Sequence, residues 1–444
     1  MIDYIIEIVS YGISAIIVLF TFYYYVYKQR KESKDVEERI VEAKEAGRFE
    51  PVSLYPVMDE KACLSCGACA KACLIGDVIG YNRGKAVVVN ATHCIGCGGC
   101  FRACPQEGIT LWLGTEKRGV DLPEVSPNFE TNVSGIYIAG ELGGMGLISN
   151  AVRQGEVAVS NIAASLKKSD VQADFDLIIV GAGPAGISAS LEAKRLNLKA
   201  MTVEHGSLGG TVFTYPRSKI VMTSPMNLPL YGKVKLSITS KMQLLDLWNE
   251  VLTKNKITIH EHCTVKSITK ESEVFRLKTA QGESFTTQRV LLAIGRGGTP
   301  RKLEIPGEES EKVTFRLLEP DEVVGKKIVV VGGGGAAIEA ALLLMNNNEV
   351  TVSFRGEVFS RINLALSRKL KEAIASEKLK VLYKTNLTSI DPEYVYYKHV
   401  DSEVIEKIEN DLVYIFIGGE LPTQLLRDSG VDITTTHGRL VMNH

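Results

Sequence analysis

The chain opens with a long apolar run and continues with shorter apolar runs separated by polar breaks. From Ile8 to Tyr27 no side chain is charged, and a helix of about 20 such residues spans the hydrocarbon core of a bilayer. A cleaved signal peptide or a buried helix would give a similar run, but no basic residue precedes it and no small-residue cleavage site follows it. The pattern therefore predicts a transmembrane anchor at residues 1–30.

The charges on the two sides of this run predict its orientation. Four basic residues follow the run and two acidic residues precede it: Lys28, Arg30, Lys31 and Lys34 against Asp3 and Glu7. Because basic residues favour the cytoplasmic side, we expect a single-pass protein of the inner or plasma membrane whose later domains face the cytoplasm. The charged, helix-prone segment from Glu32 to Glu50 predicts a helical stalk or linker at residues 31–54.

Two later segments share a pattern of a short apolar run, a group of glycines and an apolar helix. The run FDLIIV leads into Gly181, and KKIVVV leads into Gly332 about 150 residues further on. A buried strand followed by a glycine turn and a helix opens a dinucleotide-binding domain. The chain is therefore predicted to be α/β, with two doubly wound domains.

Composition narrows the choice of partners. The 444 residues are 45% hydrophobic and 23% charged, which is ordinary for a globular chain of more than one domain. Lysine and arginine number 51 against 52 aspartates and glutamates. This balance gives no general attraction to phosphate backbones, so we expect no nucleic-acid partner.

Eight of the nine cysteines form two evenly spaced quartets. Each has the spacing C-x2-C-x2-C-x3-C: Cys63, Cys66, Cys69 and Cys73, then Cys94, Cys97, Cys100 and Cys104. A 4Fe-4S cluster needs four thiolates, and in this spacing the fourth comes from the other quartet. The predicted sets are Cys63, Cys66, Cys69 and Cys104 for one cluster, and Cys94, Cys97, Cys100 and Cys73 for the other. Structural zinc also takes four thiolates, but it does not need the doubled, interlocking pattern.

Over about 60 residues the cysteine region resembles bacterial two-cluster ferredoxins. The resemblance implies a small α+β electron-transfer domain at residues 55–116. It departs from that family at Leu74, where proline is usual, whereas Pro105 follows the second quartet. The ninth cysteine, Cys263, lies in a strand-like stretch and is expected to be buried packing.

The first glycine turn, GAGPAG at 181–186, is predicted to bind FAD. Gly181 permits the tight turn, Gly183 lets the backbone approach the pyrophosphate, and Gly186 lets the helix pack against the strand. The next strand ends in Glu204, an acid placed to bind ribose hydroxyls.

The second glycine turn is predicted to bind NADPH. Gly332, Gly334 and Ala337 take the corresponding positions. The next strand ends in Arg355 instead of an acid, and arginine there accommodates the 2′-phosphate of NADP. Arg361 is placed to assist.

From about residue 128 to its end the chain resembles the thioredoxin reductase-like flavoproteins. The resemblance is carried by GAGPAGISASLEA, LGGT at 208–211, LLAIGRGGTPRKLEIPGE, VVVGGGGAAIEAA and IFIGGELPT, in the family's order. It implies FAD in one domain and NADPH in a second domain inserted into it. Further cofactor contacts are implied at Pro184, Ala185, Gly209, Gly210, Thr211, Gly295, Ala336 and Glu339.

One motif of this family is out of order. Such proteins close with a TN-x-x-G-I-Y-x-A-G segment that contacts the flavin, and here TNVSGIYIAGELGGMGL stands at 131–147, before the first glycine turn. The resemblance therefore implies a circular permutation that places Gly140, Glu141, Gly143 and Gly144 against the flavin, with Glu141 where aspartate is usual. A separate accessory domain with a chance match is the alternative.

These inferences define the predicted organisation after the anchor and the linker. It consists of a ferredoxin-like domain at 55–116, a displaced closing segment of the FAD domain at 117–167, an FAD domain at 174–300, an NADPH domain at 301–420 and a return to the FAD domain at 421–444. Because chain termini are often close in space, domains tolerate such permutation.

Function follows from the combination of groups. Thioredoxin reductases carry a C-x-x-C dithiol in the NADPH domain, and none follows residue 105 here. The segment TVFTYPRSKIVMTSPMNLPLYG more loosely resembles the bacillithiol disulfide reductase-like branch, which also lacks that dithiol. We expect an oxidoreductase that exchanges electrons among NADPH, FAD and two 4Fe-4S clusters, needs no acid–base catalytic residue, and serves a redox partner protein or a quinone. The alternatives are a low-molecular-weight disulfide reductase and a sensing or docking subunit of a membrane complex. The chain is expected to form a homodimer or to be a subunit of a membrane complex.

Overall fold

The computed structural model divides into two compact units. It describes residues 2–45, 49–51, 54–116, 119–144, 146–166, 172–217, 219–236, 238–297, 299–360, 362, 364–420 and 422–442. The first unit comprises Met1–Cys94, Gly98–Arg118 and Gly438–His444, and the second comprises Ile95–Cys97 and Gly119–His437.

Helices are numbered here in chain order over the described residues. The α-helices are α1 (Ile2–Glu45), α2 (Ala68–Lys71), α3 (Gly99–Ala103), α4 (Ile148–Ser165), α5 (Pro184–Arg195), α6 (Lys241–Lys254), α7 (Gly335–Leu344), α8 (Leu364–Ala375) and α9 (Thr423–Asp428). Short 3-10 turns lie at Ala91–His93, Glu141–Gly143, Gly210–Val212 and Pro320–Glu322.

Helix α1 is continuous through the predicted anchor and most of the predicted linker. Its later part packs within the first unit, where Val36 and Ala43 are buried. Ser33 Oγ accepts a hydrogen bond from the Arg83 backbone N at 2.8 Å, and the Arg83 guanidinium lies 3.9 Å from Glu37. This part of the helix is therefore a packing element of the first unit.

Among the residues that the structure describes, no helix has the length and apolarity needed to cross a membrane. The uncharged run contains five tyrosines between Tyr11 and Tyr27, and the charged Lys28 follows it directly. Both features lower its hydropathy. The finding contradicts the predicted anchor at residues 1–30, together with the predicted single-pass membrane localisation and its cytoplasmic orientation.

The first unit contains two small antiparallel sheets. A three-stranded sheet has the order Leu54–Met58, Ile109–Leu113 and Arg439–Met442, and a hairpin pairs Ile79–Asn82 with Lys85–Val88. Helices α2 and α3 pack against each other. The strand Arg439–Met442 comes from the segment that was predicted to return to the FAD domain, and it pairs within the first unit.

The two cysteine quartets fold as a structural repeat. Gly67 and Gly98 both adopt a left-handed conformation, with φ of 80° and 64°, directly before α2 and α3. Gly76 and Glu107 also have positive φ, at 79° and 52°. Gly67 and Gly98 stand at the same distance along the chain from the first cysteine of their own quartets, and so do Gly76 and Glu107. The two halves therefore follow the same backbone path with different side chains.

The second unit is built around a seven-stranded sheet. The strand order is Ile259–His260, Ala200–Val203, Phe175–Val180, Ser284–Leu292, Val274–Thr279 and Val265–Glu271, and Ile136–Ile138 also pairs with Ser284–Leu292. The pairs that involve Ile136–Ile138 and Phe175–Val180 are parallel. The upstream segment and the first glycine turn are therefore parts of one sheet.

A second sheet carries the other glycine turn. Its five parallel strands have the order Val313–Thr314, Leu412–Ile415, Lys327–Val331, Glu349–Phe354 and Leu379–Tyr383. One face packs against α7 and α8, and the other against the three-stranded sheet of Thr385–Ile390, Tyr394–His399 and Ile405–Glu409. Further short pairs join Ile220–Met222 with Ile238–Ser240, Met226–Leu228 with Gly232–Val234, Thr299–Pro300 with Gly419–Glu420, and Val120–Pro123 with Ile433–Thr436.

Helix α4 packs closely on α5, the helix that follows the first glycine turn. A Cβ atom at Gly155 would lie 2.1 Å from the carbonyl oxygen of Ala185, which no real side chain tolerates. Further along, Ser160 Oγ donates to the buried carboxylate of Glu192 at 2.7 Å, and Arg195 also bonds that carboxylate at 2.7 Å. The close approach therefore depends on glycine at position 155.

Replacing Gly155 by alanine should separate α4 from the start of α5, since the obstacle is backbone. We expect a loss of about 1–3 kcal/mol in the stability of the second unit, the usual range for overpacking, and partial loss of bound flavin. Thermal unfolding and flavin content measure both effects. Gly12→Ala is the matched control, because that helical glycine has open space around it and should gain slightly from helix propensity. Equal melting temperatures for Gly155→Ala and the parent protein would contradict the prediction.

Candidate cofactor sites

Four of the predicted ligand cysteines line one cavity in the first unit. The thiols belong to Cys63, Cys66 and Cys69 of the first quartet and to Cys104 of the second. The cavity measures about 400 Å³, including the part that opens to solvent. This is the interlocked set that the cysteine spacing predicts, and its donors suit an iron–sulfur cluster.

Backbone groups also point at this cavity. The N–H groups of Ser65 and Ala86 approach Cys63 Sγ at 3.5 and 3.4 Å, and the Lys85 ammonium donates to the Cys63 carbonyl at 2.7 Å. Cys69 Sγ lies 3.8 Å from the hydroxyl of Tyr81. Hydrogen bonds to ligand sulfurs are usual around iron–sulfur clusters, so these contacts fit the predicted cofactor.

The other four cysteines occupy the corresponding places in the repeat. Cys73 follows α2, Cys94 follows the turn Ala91–His93, and Cys100 is buried within α3. Cys97 directly precedes Gly98, the left-handed residue before α3. Within the described ranges, no group of three or more His, Cys, Asp or Glu side chains forms a site for a single metal ion.

The first glycine turn has the geometry that its sequence predicts. Gly181 has φ of 108°, and a Cβ there would lie 2.6 Å from the carbonyl of Ala293. A Cβ at Gly186 would lie 1.8 Å from the carbonyl of Gly181, whereas one at Gly183 would meet nothing within 4 Å. The turn is therefore tightly packed at Gly181 and Gly186 and open at Gly183, where a pyrophosphate would approach the start of α5.

Two other predicted segments converge on this turn. A Cβ at Gly140 would lie 3.1 Å from Ala185 Cβ, and one at Gly210 would lie 3.3 Å from Gly183 Cα. Gly209 N donates to the carbonyl of Ala182 at 2.9 Å. Gly140 and Gly210 therefore stand beside the turn although they come from distant parts of the sequence.

The remaining predicted residues of this site lie close in sequence to residues that contact the turn. Pro184 begins α5, and Thr211 lies in the 3-10 turn that follows Gly209. Glu141 and Gly143 form the 3-10 turn after Gly140, followed by the left-handed Gly144. Gly295 has φ of 64° and open space around its Cα. The structure places Glu141 on the surface.

Glu204 is buried and stabilises the glycine turn by accepting backbone hydrogen bonds. Its Oε2 accepts from Ala182 N at 2.7 Å, and its Oε1 accepts from Gly206 N at 2.9 Å. Burial acts to raise the pKa of Glu204, but hydrogen bonds from His205, Ala182 N and Gly206 N outweigh it, so the pKa is lowered. The carboxylate thus stays charged while it orders the turn, a role additional to the predicted binding of ribose hydroxyls.

Three further polar residues of this site were missed by the sequence analysis. Gln154 Oε1 accepts from Gly140 N at 2.7 Å. Burial lowers the pKa of Arg296, and the carboxylates of Glu141 and Asp121 oppose that shift. Tyr215 is half-buried, and burial followed by the charge of Glu141 raises its pKa. Arg296 and Tyr215 lie within motifs that the analysis quoted, but no spacing singles them out.

The second glycine turn repeats the same geometry. Gly332 has φ of 138°, and its Cβ position lies 2.3 Å from the carbonyl of Phe416. Gly334 is open, and Ala337 is fully buried on α7 beside Gly332. Ala336 and Glu339 lie on the same helix, and Glu339 pairs with Lys219 at 2.8 Å. Lys219 also lies 5.0 Å from the ring centre of Tyr215.

Arg355 follows the strand Glu349–Phe354 and is exposed. Glu357, which carries the opposite charge, pairs with Lys384, and Lys384 also lies 3.5 Å from Asp401. The charge of Glu357 is therefore balanced locally. Arg361, which was predicted to assist Arg355, lies outside the described residues.

Cys263 is buried in the core of the large sheet, as predicted, and burial raises its pKa.

Comparisons with known families assign both parts of the chain. A family described as pyridine nucleotide-disulphide oxidoreductase matches residues 178–444, and a family described as 4Fe-4S dicluster domain matches residues 55–105. The residues between 105 and 178 lie outside both matches.

Individual relatives agree with these families. The chain is 26% identical to bacilliredoxin reductase Bdr of Bacillus subtilis, over 60% of this chain and 83% of that protein. It is 28% identical to a ferredoxin–NADP reductase of Ignicoccus hospitalis, over 34% of this chain and less than half (47%) of that protein. The solved bacillithiol disulfide reductase Bdr from Staphylococcus aureus is 25% identical with a TM-score of 0.53, over 61% of this chain and 85% of that one.

Proposed function

This chain belongs to the pyridine nucleotide-disulphide oxidoreductase family, and we propose that it passes electrons between NADPH and a redox partner by way of FAD and two 4Fe-4S clusters. Membership makes it an NAD(P)H-dependent flavin oxidoreductase, and its dicluster segment is a 4Fe-4S domain. When bound, FAD converts two-electron hydride chemistry into the one-electron chemistry of iron–sulfur clusters. The observation that carries the proposal is that Cys104 lines one cavity with three cysteines of the other quartet.

In this proposal the chain's own residues hold and orient the cofactors. Cys63, Cys66, Cys69 and Cys104 hold one cluster, and Cys94, Cys97, Cys100 and Cys73 hold the other. The turn at Gly181–Gly186 and the turn at Gly332–Ala337 bind the pyrophosphates of FAD and NADPH through backbone N–H groups. The redox partner is a protein or a quinone that exchanges single electrons.

A second candidate function is direct reduction of a low-molecular-weight disulfide at the flavin. It is favoured by the similarity to bacilliredoxin reductase over most of that protein's length. Because Cys263 is the only cysteine after residue 104, such a reaction would proceed without an internal dithiol. The clusters would then take no part in turnover.

Anaerobic titration of the purified protein separates these functions. We expect FAD and about eight irons per chain, the content of two 4Fe-4S clusters. NADPH should bleach the flavin and then the clusters, or photoreduced clusters should convert added NADP⁺ to NADPH. Cys104→Ala should remove about half of the iron, whereas Cys263→Ala should remove none. If NADPH reduces the flavin but no electrons pass between the flavin and the clusters in either direction, disulfide reduction is favoured and the electron-transfer proposal is wrong.

We further propose that residues 131–166 are the displaced closing segment of the FAD domain. Three observations support this assignment: the strand Ile136–Ile138 lies in the large sheet, Gly140 lies against Ala185, and Asn132 bonds both Gly430 O and Asp432 N at 2.9 Å. The last contact joins the displaced segment to the end of the second unit. A chance match would not give contacts to both places.

Glu141→Leu should weaken FAD binding by about tenfold, because it removes a hydrogen-bond acceptor from the proposed flavin edge. Equilibrium dialysis or flavin fluorescence measures the affinity. Glu124→Leu, an equally exposed change in the same region, should leave it unaltered. If both variants hold FAD as tightly as the parent protein, residues 131–166 do not serve the flavin.

We propose that the pyridine nucleotide is NADPH, bound through Arg355. The local pairing of Glu357 with Lys384 supports this choice, because it offsets the negative charge nearest to Arg355 along the chain. A guanidinium there could form a bidentate pair with the 2′-phosphate, through two parallel N–H···O hydrogen bonds.

Arg355→Glu should lower kcat/KM for NADPH by roughly 10- to 100-fold, the factor for one charge-assisted hydrogen bond, and should change NADH turnover little. Steady-state flavin reduction with each nucleotide provides the ratio. Arg368→Glu, the same charge change at an exposed site on α8, serves as the control. Equal use of NADH and NADPH by the parent protein would refute the assignment.

A further inference from the structure

The hairpin beside the first cysteine quartet places a phenol against a ligand thiol. Tyr81 lies on the strand Ile79–Asn82, and its hydroxyl is 3.8 Å from Cys69 Sγ. Both residues line the cavity that also contains Cys63, Cys66 and Cys104. Tyr81 therefore brings an aromatic hydroxyl, which can donate a hydrogen bond, to the wall of that cavity.

The phenol is the donor in this pair. A thiolate that ligates iron has no proton to give, so the hydrogen bond runs from the Tyr81 hydroxyl to Cys69 Sγ. A tyrosine phenol has an ordinary pKa of about 10, so the hydroxyl carries its proton at neutral pH.

The hairpin is held firmly enough to fix the ring. Next to Tyr81, a Cβ at Gly80 would lie 2.9 Å from Val36 of α1, so the strand packs directly on that helix. The Arg83 backbone N donates to Ser33 Oγ at 2.8 Å, and Lys85 donates to the carbonyl of Cys63 at 2.7 Å. Contacts on both sides of Tyr81 thus tie its strand to α1 and to the first quartet.

The equivalent position of the second half carries a different side chain. Trp112 stands at the same spacing from its quartet as Tyr81 does from the first. Its indole has a single N–H, and this donates to Thr110 Oγ1 at 2.9 Å. The repeat therefore offers an aromatic donor to a ligand sulfur through Tyr81, whereas the donor of Trp112 is directed to a threonine.

We propose that the Tyr81 hydroxyl bonds the Cys69 thiolate and raises the reduction potential of the cluster that Cys63, Cys66, Cys69 and Cys104 hold. Reduction adds one electron to the cluster and makes its sulfurs more negative, so a donor at one of them favours the reduced state. No bond is made or broken, and the phenol retains its proton. The inference rests on the cluster assignment proposed above.

Redox titration of the full-length Tyr81→Phe protein, followed by electron paramagnetic resonance, tests the inference. Two one-electron steps should be resolved in the parent protein. The variant should keep its full iron content, and one of the two steps should move to lower potential. Trp112→Phe is the matched control, since it removes the equivalent ring donor, and it should leave that step in place.

Two further measurements separate the hydrogen bond from packing. 3-Fluorotyrosine at position 81 is a stronger donor of nearly the same shape, and it should move the same step upward. In deuterated water, electron-nuclear double resonance of the reduced protein should show an exchangeable deuteron that Tyr81→Phe removes. Unchanged potentials in both Tyr81 variants at full iron content would overturn the inference, whereas a parent protein with few or no irons would overturn the cluster assignment itself.

Discussion

The second unit depends on close backbone packing at the first glycine turn. Gly181 and Gly186 leave no room for a Cβ against the carbonyls of Ala293 and Gly181, and Gly155 leaves none against the carbonyl of Ala185. Without side chains at these positions, the start of α5 can lie against both the large sheet and α4. A phosphate can then approach the start of α5 at the open Gly183.

The same packing explains why chain order matters less than position. The strand Ile136–Ile138 and helix α4 precede the glycine turn in sequence, yet the strand pairs with Ser284–Leu292 and the helix packs on α5. Parallel strands that are joined by long connections can be cut and rejoined elsewhere, because the sheet's hydrogen bonds do not record which strand came first. Glu204 and Gln154 then tie the converging loops through single hydrogen bonds to Ala182 N and Gly140 N.

The first unit shows how a repeated backbone acquires different chemistry in its two halves. Left-handed turns at Gly67 and Gly98 bring each quartet into a short helix by the same path. Tyr81 and Trp112 then stand at equivalent spacings, but the Tyr81 hydroxyl lies against Cys69 Sγ and the Trp112 N–H donates to Thr110. Side-chain identity on a common backbone therefore gives the two halves different polar contacts.

Sequence alone determined the elements whose signal is local. The glycine positions predicted both turns, because backbone sterics act over a few residues. The cysteine spacing predicted that Cys104 joins Cys63, Cys66 and Cys69, because a cluster needs four thiolates and the repeated spacing takes the fourth from the other quartet. The prediction of an anchor near the N-terminus was wrong, because about 20 uncharged residues were taken as sufficient for a membrane span, whereas the tyrosines of this run lower its hydropathy. Only the tertiary structure placed Gln154 at Gly140, Lys384 at Glu357 and Tyr81 at Cys69. These pairs lie 12 or more residues apart and obey no fixed spacing, so only the folded chain decides which polar groups meet.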